Sequence, residues 1–272
     1  MVQDGRSDDG SVDRERVETV AHILYEARVQ REPLPPLPDN LVPTSAVEAE
    51  LIDDRVAEIG GWPVLGWKIG CTSEHAQQLL GADGPFAGRV YSVLDDGAVL
   101  QPMDLVNEPN LEGELAFRIS STPPVAPADG PVDRAVVREG IAEVMPAIEF
   151  VGGRFHTFIG SPLTSVIADA GANVHLALGA PVTNADLDGL DQVEATMTVA
   201  GEETGRGTGA DVLGHPLNAL AWLVEHLGRR GISLEPGQVV TTGTATQVSP
   251  LPTGATATAS MVGIGSVSVT RA

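Results

Sequence analysis

Cysteine and lysine are nearly missing from this chain of 272 residues: Cys71 is the one cysteine, and Lys68 is the one lysine among 16 basic residues. A single cysteine forms no internal disulfide, and it excludes a zinc site built on several thiolates. No apolar run reaches the ~18 residues of a spanning helix without a charge or a breaker. The six histidines show no HExxH spacing, and neither GxSxG, a P-loop nor GxGxxG occurs. Basic charge is scarce too. Aspartate and glutamate number 37 against 16 lysines and arginines, a net charge of −21. Such a surface repels phosphates, which excludes nonspecific nucleic-acid binding and attraction to an anionic membrane. An acidic substrate could bind only where the chain supplies local positive charge or a metal ion. The opening MVQDGRSDDG is acidic and unlike a signal peptide. These features together lead us to expect a soluble, cytoplasmic protein.

What is present is enough chain for a real core, with 42% apolar and 19% charged residues. Residues 1–10 read as a disordered tail. Val17, Val20, Ile23, Leu24 and Ala27 recur at helical spacing, with Ser11 as the expected N-cap and Pro33 beyond the end. A second helix is expected over Ser45–Ile59, stopped by Gly60-Gly61. Residues 11–60 thus read as a helical N-terminal subdomain, and 61–272 as a catalytic domain of short strands. In the latter, WPVLGWKIG reads as a strand. SEHAQQLLG reads as a helix capped by Ser73 and ended by Gly81, and Arg89–Leu100 as a strand or hairpin. Val132–Met145 reads as an amphipathic helix, followed by the strand AIEFV. Beyond Asn173 come five short strands and one clear helix, Pro216–Arg230, with Leu217, Leu220, Ala221, Val224 and Leu227 as its buried stripe. Many short strands with one dominant helix predict an α+β fold, a roll or distorted barrel.

Three acids could carry chemistry. In LEGELAFRIS, Leu111, Gly113, Leu115 and Phe117 alternate with Glu112, Glu114 and Ala116. Glu112 and Glu114 then share one face, about 7 Å apart along the backbone. They are either a solvated strand face or a pair that a divalent cation holds together. Glu149 sits inside the apolar MPAIEFV, where a carboxylate is costly unless paired or ligated. An ion pair with Arg154 or Arg89 would satisfy it, and so would a metal. Three carboxylates without histidine or cysteine suit Mg2+ or Mn2+. Lys68, in GWKIG, is either a salt-bridge partner of these glutamates or a titratable group that acts on substrate. The glycine-rich run over 205–223 reads as tight turn packing or as a helix start that could hold an anion.

Taken together, GWKIGCTS, LEGELAF, PAIEFVGGR, GADVLGHPLNALAWL and the ending PGQVVTTGTATQVSPLPTGATATASMVGIGSVSVT resemble the 2-keto-4-pentenoate hydratase / 2-oxo-3-hexenedioate decarboxylase family of the fumarylacetoacetate hydrolase superfamily. The resemblance implies a mixed β-roll core, a homo-oligomer, and a Mg2+ or Mn2+ ion held by Glu112, Glu114 and Glu149. It implies Lys68 as a base or carboxylate anchor, and a substrate-side turn Thr242-Gly243-Thr244. It also implies a 2-oxo acid or 2-hydroxydienoic acid as substrate, worked on through an enolate, by hydration or else by decarboxylation or tautomerisation. A complex with a related decarboxylase or aldolase, or a noncatalytic partner role, belongs to the same set of expectations. Thr72 and Arg154 are expected to touch substrate, and Asp83 to assist catalysis. The chain departs from the family pattern at Phe86, where an acid is usual, at Gly152 and Gly153, and at Ala170 and Ala172, where polar residues are usual. A roomier and more apolar pocket is expected from these changes.

Overall fold

The computed structural model describes residues 12–126, 131–156 and 160–272, so the expected tail at 1–10 and the expected cap Ser11 lie outside the described residues. In chain order the elements are α1 (Arg14–Gln30), α2 (Ala46–Gly60), β1 (Gly66–Gly70), α3 (Glu74–Leu80), β2 (Phe86–Val90), β3 (Val93–Asp95), β4 (Ala98–Leu100) and β5 (Asn110–Ile119). They continue with α4 (Arg134–Arg138), β6 (Ile141–Val151), α5 (Leu163–Ala168), β7 (Asn173–Leu178), β8 (Glu194–Val199) and β9 (Glu202–Thr208). The chain ends through α6 (Pro216–Arg229), β10 (Val239–Thr244), β11 (Ser249–Pro250), β12 (Thr256–Met261) and β13 (Gly265–Arg271). No helix among the described residues is long and apolar enough to cross a membrane.

The helix ends follow local chemistry. Asp13 caps α1 by accepting from the backbone of Glu15 and Arg16. Ser45 and Ser73 cap α2 and α3, which stop at the left-handed Gly61 and Gly81. In α6, the expected stripe of Leu217, Leu220, Ala221, Val224 and Leu227 is buried. Not every expectation holds. The helix expected over Val132–Met145 is only the short α4, and from Ile141 onward the chain is strand β6. Apolar residues at 132, 137, 141, 144 and 145 fit a helix and a two-sided strand about equally well. Pairing decides: Phe117 of β5 lies opposite Val144, and Ala116 opposite Met145. Arg89–Leu100 is likewise no hairpin, since β2 pairs with β1, β3 with β7 and β4 with β13.

The strands form two mixed sheets. One runs β2-β1-β10-β5-β6-β7-β3, with β11 also on β5; the other runs β4-β13-β12-β8-β9. Neither closes on itself among the described residues, so the expected distorted barrel is not formed. The sheets face one another across a core that includes Leu115, Phe117, Ile148, Ala257, Ala259 and Val267, with α6 packed on the same core. A second core joins Leu24 of α1, Ile52 and Val56 of α2 and Val166 of α5 to Cys71, Phe86 and Ala172. The N-terminal helices therefore pack against the end of the sheet where Lys68 and the glutamates lie.

Glu48 ties α1 to α2. It is buried and accepts from Thr44 N at 2.7 Å, Thr44 Oγ1 at 3.0 Å and Arg16 Nη2 at 2.8 Å. Glu48→Ala strands these donors and is expected to destabilise the fold by about 3 kcal/mol. Urea unfolding reads this directly, and a loss under ~1 kcal/mol would make the contact dispensable.

Candidate metal centre and its pocket

The site begins with a pairing that a sheet ordinarily avoids. Glu112 of β5 and Glu149 of β6 are direct cross-strand partners, and like charges placed opposite each other repel. Glu114 follows two residues on, and its neighbour across the other edge of β5 is Thr244 of β10. The pairing of β10 with β5 is interrupted between Thr241 and Thr244. That bulge turns the backbone at Gly243, whose φ of 102° excludes other residues at little strain, and aims its N–H at Glu114 Oε2, 2.8 Å away. A Cβ on Gly243 would also sit 2.0 Å from Thr72 Oγ1.

Each of the three glutamates offers a carboxylate oxygen, and these lie within 4.8 Å of one another. Lys68 comes from β1, which pairs in parallel with β10, and its Nζ stands 3.4 Å from Glu149 Oε1. The same oxygen accepts from Asn173 Nδ2 at 2.9 Å. Glu114 Oε1 and Glu149 Oε2 are buried with no hydrogen-bond partner. Fully ionised, three carboxylates against one ammonium would leave two negative charges in a desolvated place. Burial, then the facing Glu149, pushes Glu112 up to about 7. Burial and both neighbouring carboxylates raise Glu114 well above the ordinary carboxylate range. Burial alone would lower Lys68, yet Glu149, Glu112 and Glu114 more than offset it and hold the ammonium above its usual range. Two orphaned oxygens, an all-oxygen donor set and an excess of two negative charges fit a hard divalent cation such as Mg2+ or Mn2+.

Beside the carboxylates lies a cavity of about 60 Å3 whose walls include Lys68, Thr72, Leu80, Phe86, Glu112 and Val166. Burial raises the Cys71 thiol on this wall to about 11, which keeps it neutral. Leu80, Phe86, Val151 and Val166 form the cavity's apolar wall. Phe86 fits between two glycines: a Cβ on Gly70 would lie 2.4 Å from its ring, and one on Gly171 2.9 Å. The ring stands 5.2 Å from Lys68 Nζ and contributes a cation–π contact there.

The residues expected to act here divide. Lys68, Thr72, Glu112, Gly243 and Thr244 line the cavity, and Glu114 and Glu149 complete the carboxylate cluster. Thr242 points its hydroxyl away, donating to Leu115 O at 3.0 Å. Arg154 is not on this wall; it donates to Asp169 Oδ1 at 2.5 Å and to Asn173 O at 2.8 Å. It therefore does not pair with Glu149, nor does Arg89, which holds Asp53 and Asp54. Asp83 is exposed after α3, apart from the cavity. The glycine-rich run before α6 is tight packing: a Cβ on Gly209 would meet Leu190 O at 1.9 Å. Sequence reasoning missed Asn173, although a polar residue heading the apolar strand NVHLAL was a usable signal.

A family model described as fumarylacetoacetate (FAA) hydrolase C-terminal matches residues 72–270. The chain is 31% identical to 2-keto-4-pentenoate hydratase of Burkholderia vietnamiensis strain G4, over 97% of this chain and 98% of that protein. It is 31% identical to 2-hydroxyhexa-2,4-dienoate hydratase of Comamonas testosteroni, over 94% and 98%. Among solved structures, 4-oxalocrotonate decarboxylase from Pseudomonas putida G7, complexed with magnesium and adipate, superposes with a TM-score of 0.85. Identity there is 26%, over 96% of this chain and 99% of that one.

The carboxylate cluster sets a pH dependence. Glu112 releases its proton near 7 in the folded chain but near 4.5 when unfolded. Between these values the folded state holds the extra proton, so metal-free protein loses stability as pH rises from about 4.5 to about 7. Mn2+ or Mg2+ takes the place of that proton. The metal-induced rise in Tm is therefore expected to be larger near pH ~8 than near pH ~6. An equal rise at both would remove these carboxylates as ligands.

Proposed function

Because the chain belongs to the fumarylacetoacetate hydrolase family, we propose that it is a metal-dependent hydro-lyase. It adds water to a 2-hydroxydienoic acid, the enol form of a 2-oxo acid, in the manner of 2-keto-4-pentenoate hydratase. The observation that carries this reading is the buried carboxylate cluster beside the chain's single ammonium. Glu112, Glu114 and Glu149 would hold Mg2+ or Mn2+. When bound, the ion would supply Lewis acidity, drawing electron density from the head of the 2-oxo acid.

The chain's own groups do the rest. The Glu149 carboxylate and the Phe86 ring fix Lys68 beside the head of the substrate. As an ammonium, Lys68 anchors a substrate carboxylate. When its carboxylate neighbours are neutralised, burial is left as the dominant influence on Nζ and brings its proton within reach of transfer. Thr72, Gly243 and Thr244 form the polar side of the cavity, while Leu80, Phe86 and Val166 form the side that takes the tail. Asp83, Arg154 and Thr242 have no part in this arrangement. The two sheets with α6 form the family's roll, and the described part of 11–60 serves as its helical N-terminal subdomain.

Charge in the pocket selects among acids. Lys68 and Glu112 are the only charged residues on its wall among the described residues. A second carboxylate at the far end of the substrate would face Phe86, Leu80 and Val166 without a cation. A monoacid with a short apolar tail fits better, which favours hydration over loss of CO2 from a diacid.

With Mg2+ or Mn2+, the protein is expected to convert 2-hydroxypenta-2,4-dienoate to 4-hydroxy-2-oxopentanoate, followed by the fading ultraviolet absorbance of the diene. Glu112→Ala should lose metal and activity together while remaining folded. Lys68→Arg should lose about 100-fold or more in kcat, because arginine keeps the charge but does not release a proton. Faster release of CO2 from 2-oxohex-3-enedioate than hydration of the monoacid would assign a decarboxylase instead. Full turnover without metal would end the reading.

A further inference from the structure

Strand β7 slips against β6 just beyond the carboxylate cluster, and the slip moves one side chain. Glu149 pairs with Leu176 and Phe150 with His175, but Val151 then pairs with Asn173, so Val174 is an extra residue on β7. On a regular strand, Asn173 and Leu176 would point to opposite faces, because their separation is odd. Asn173 would then face away from Glu149, the partner of Leu176. The bulge turns it onto the glutamate face instead, opposite Val151 of the cavity wall.

Buried groups hold the bulge from both sides. The N–H groups of Gly152 and Gly153 both donate to Ala172 O at 3.0 Å. Arg154 Nη1 donates to Asn173 O at 2.8 Å. Arg154 is itself fixed by the Asp169 carboxylate, which accepts from its backbone N–H at 2.6 Å and from Nε at 2.5 Å. Neither Arg154 nor Asp169 lines the cavity. What they fix is the backbone from which the Asn173 amide reaches inward.

That amide meets Glu149 and leaves half of it free. Asn173 Nδ2 donates to Glu149 Oε1 at 2.9 Å, closer than Lys68 Nζ at 3.4 Å from the same oxygen. Glu149 Oε2 has no partner. Asn173 and Glu149 are both buried, so water does not substitute for the contact. The donor is also uncharged. A lysine or arginine here would orient the carboxylate too, but its charge would compete with a cation for the cluster. An amide orients the carboxylate and keeps its pull on a cation intact.

We propose that Asn173 is a positioning residue for the metal: its amide pins one oxygen of Glu149 and so leaves the other to the ion. The inference rests on Glu112, Glu114 and Glu149 being the ligands, and it adds to them a residue outside the ligand set.

The test is a titration of Mn2+ into the metal-free, full-length protein, followed by calorimetry at a temperature where parent and variants are fully folded. Asn173→Leu keeps the bulk of the side chain without its donor, and it is expected to weaken Mn2+ binding about tenfold or more. Activity lost at limiting Mn2+ should largely return at saturating Mn2+. Should Asn173→Leu fail to fold, Asn173→Ala carries the test with the same expected loss. A residue that only stabilises the fold would lower the Tm of the metal-free variant and leave the Mn2+ affinity of the folded protein unchanged. That result overturns the proposal while the metal site stands. Absence of Mn2+ binding by the parent protein, or binding that Glu112→Ala leaves intact, overturns the ligand assignment itself and the proposal with it.

Discussion

Everything around the pocket answers to one repulsion: Glu112 faces Glu149 across the β5–β6 ladder. A sheet gains nothing from opposed carboxylates, and burial makes the pair worse. The surrounding structure supplies what relief it can. Lys68 arrives on β1, Asn173 on β7, and the Gly243 N–H through the bulge in β10. Five adjacent strands thus lend one polar group or more to the same spot. Even so, Glu114 Oε1 and Glu149 Oε2 stay unmatched. Such a residue of unsatisfied charge at the centre of a well-packed sheet marks a site organised for a cation and its ligand rather than for stability.

Much of this was readable along the chain. The period-two alternation of LEGELAF placed Glu112 and Glu114 on one face, and an acid inside MPAIEFV flagged Glu149. Depletion of lysine singled out Lys68. Caps at Ser45 and Ser73 and glycines at 61 and 81 marked helix ends, because those signals are local. What failed was non-local. The spacing of apolar residues from 132 to 145 did not reveal that β5 would claim Val144 and Met145 as partners. Arg154 is five residues from Glu149, but the left-handed Gly153, at φ 61°, reverses the chain and carries Arg154 to Asp169 instead. Asp83 lies three residues before Phe86, yet the turn after α3 leaves it in solvent.

The small residues at 153 and 170–172 act together. Gly153 has to be small, since a Cβ there would meet Asp169 Oδ2 at 2.5 Å. Ala170, Gly171 and Ala172 all take positive φ, of 53°, 63° and 62°. Two alanines in the left-handed region are strained, and the Asp169 carboxylate with its Arg154 partner holds the turn in place. That turn presents Gly171 to Phe86 and Ala172 to the cavity. An aromatic wall therefore bounds the cavity at Phe86, and it is supported from behind by a buried ion pair.

Phe86 is seated against the backbones of Gly70 and Gly171 as well as against side chains. A ring so placed does not swing aside by a rotamer change alone; β1 at Gly70 and the turn at Gly171 must part first. Displacement of this wall is thereby tied to slow breathing of the main chain instead of the fast flicker of a side chain. Adding one methyl group at either glycine would press on the ring, and at Gly171 it would also crowd Lys68 Cδ, 3.1 Å away.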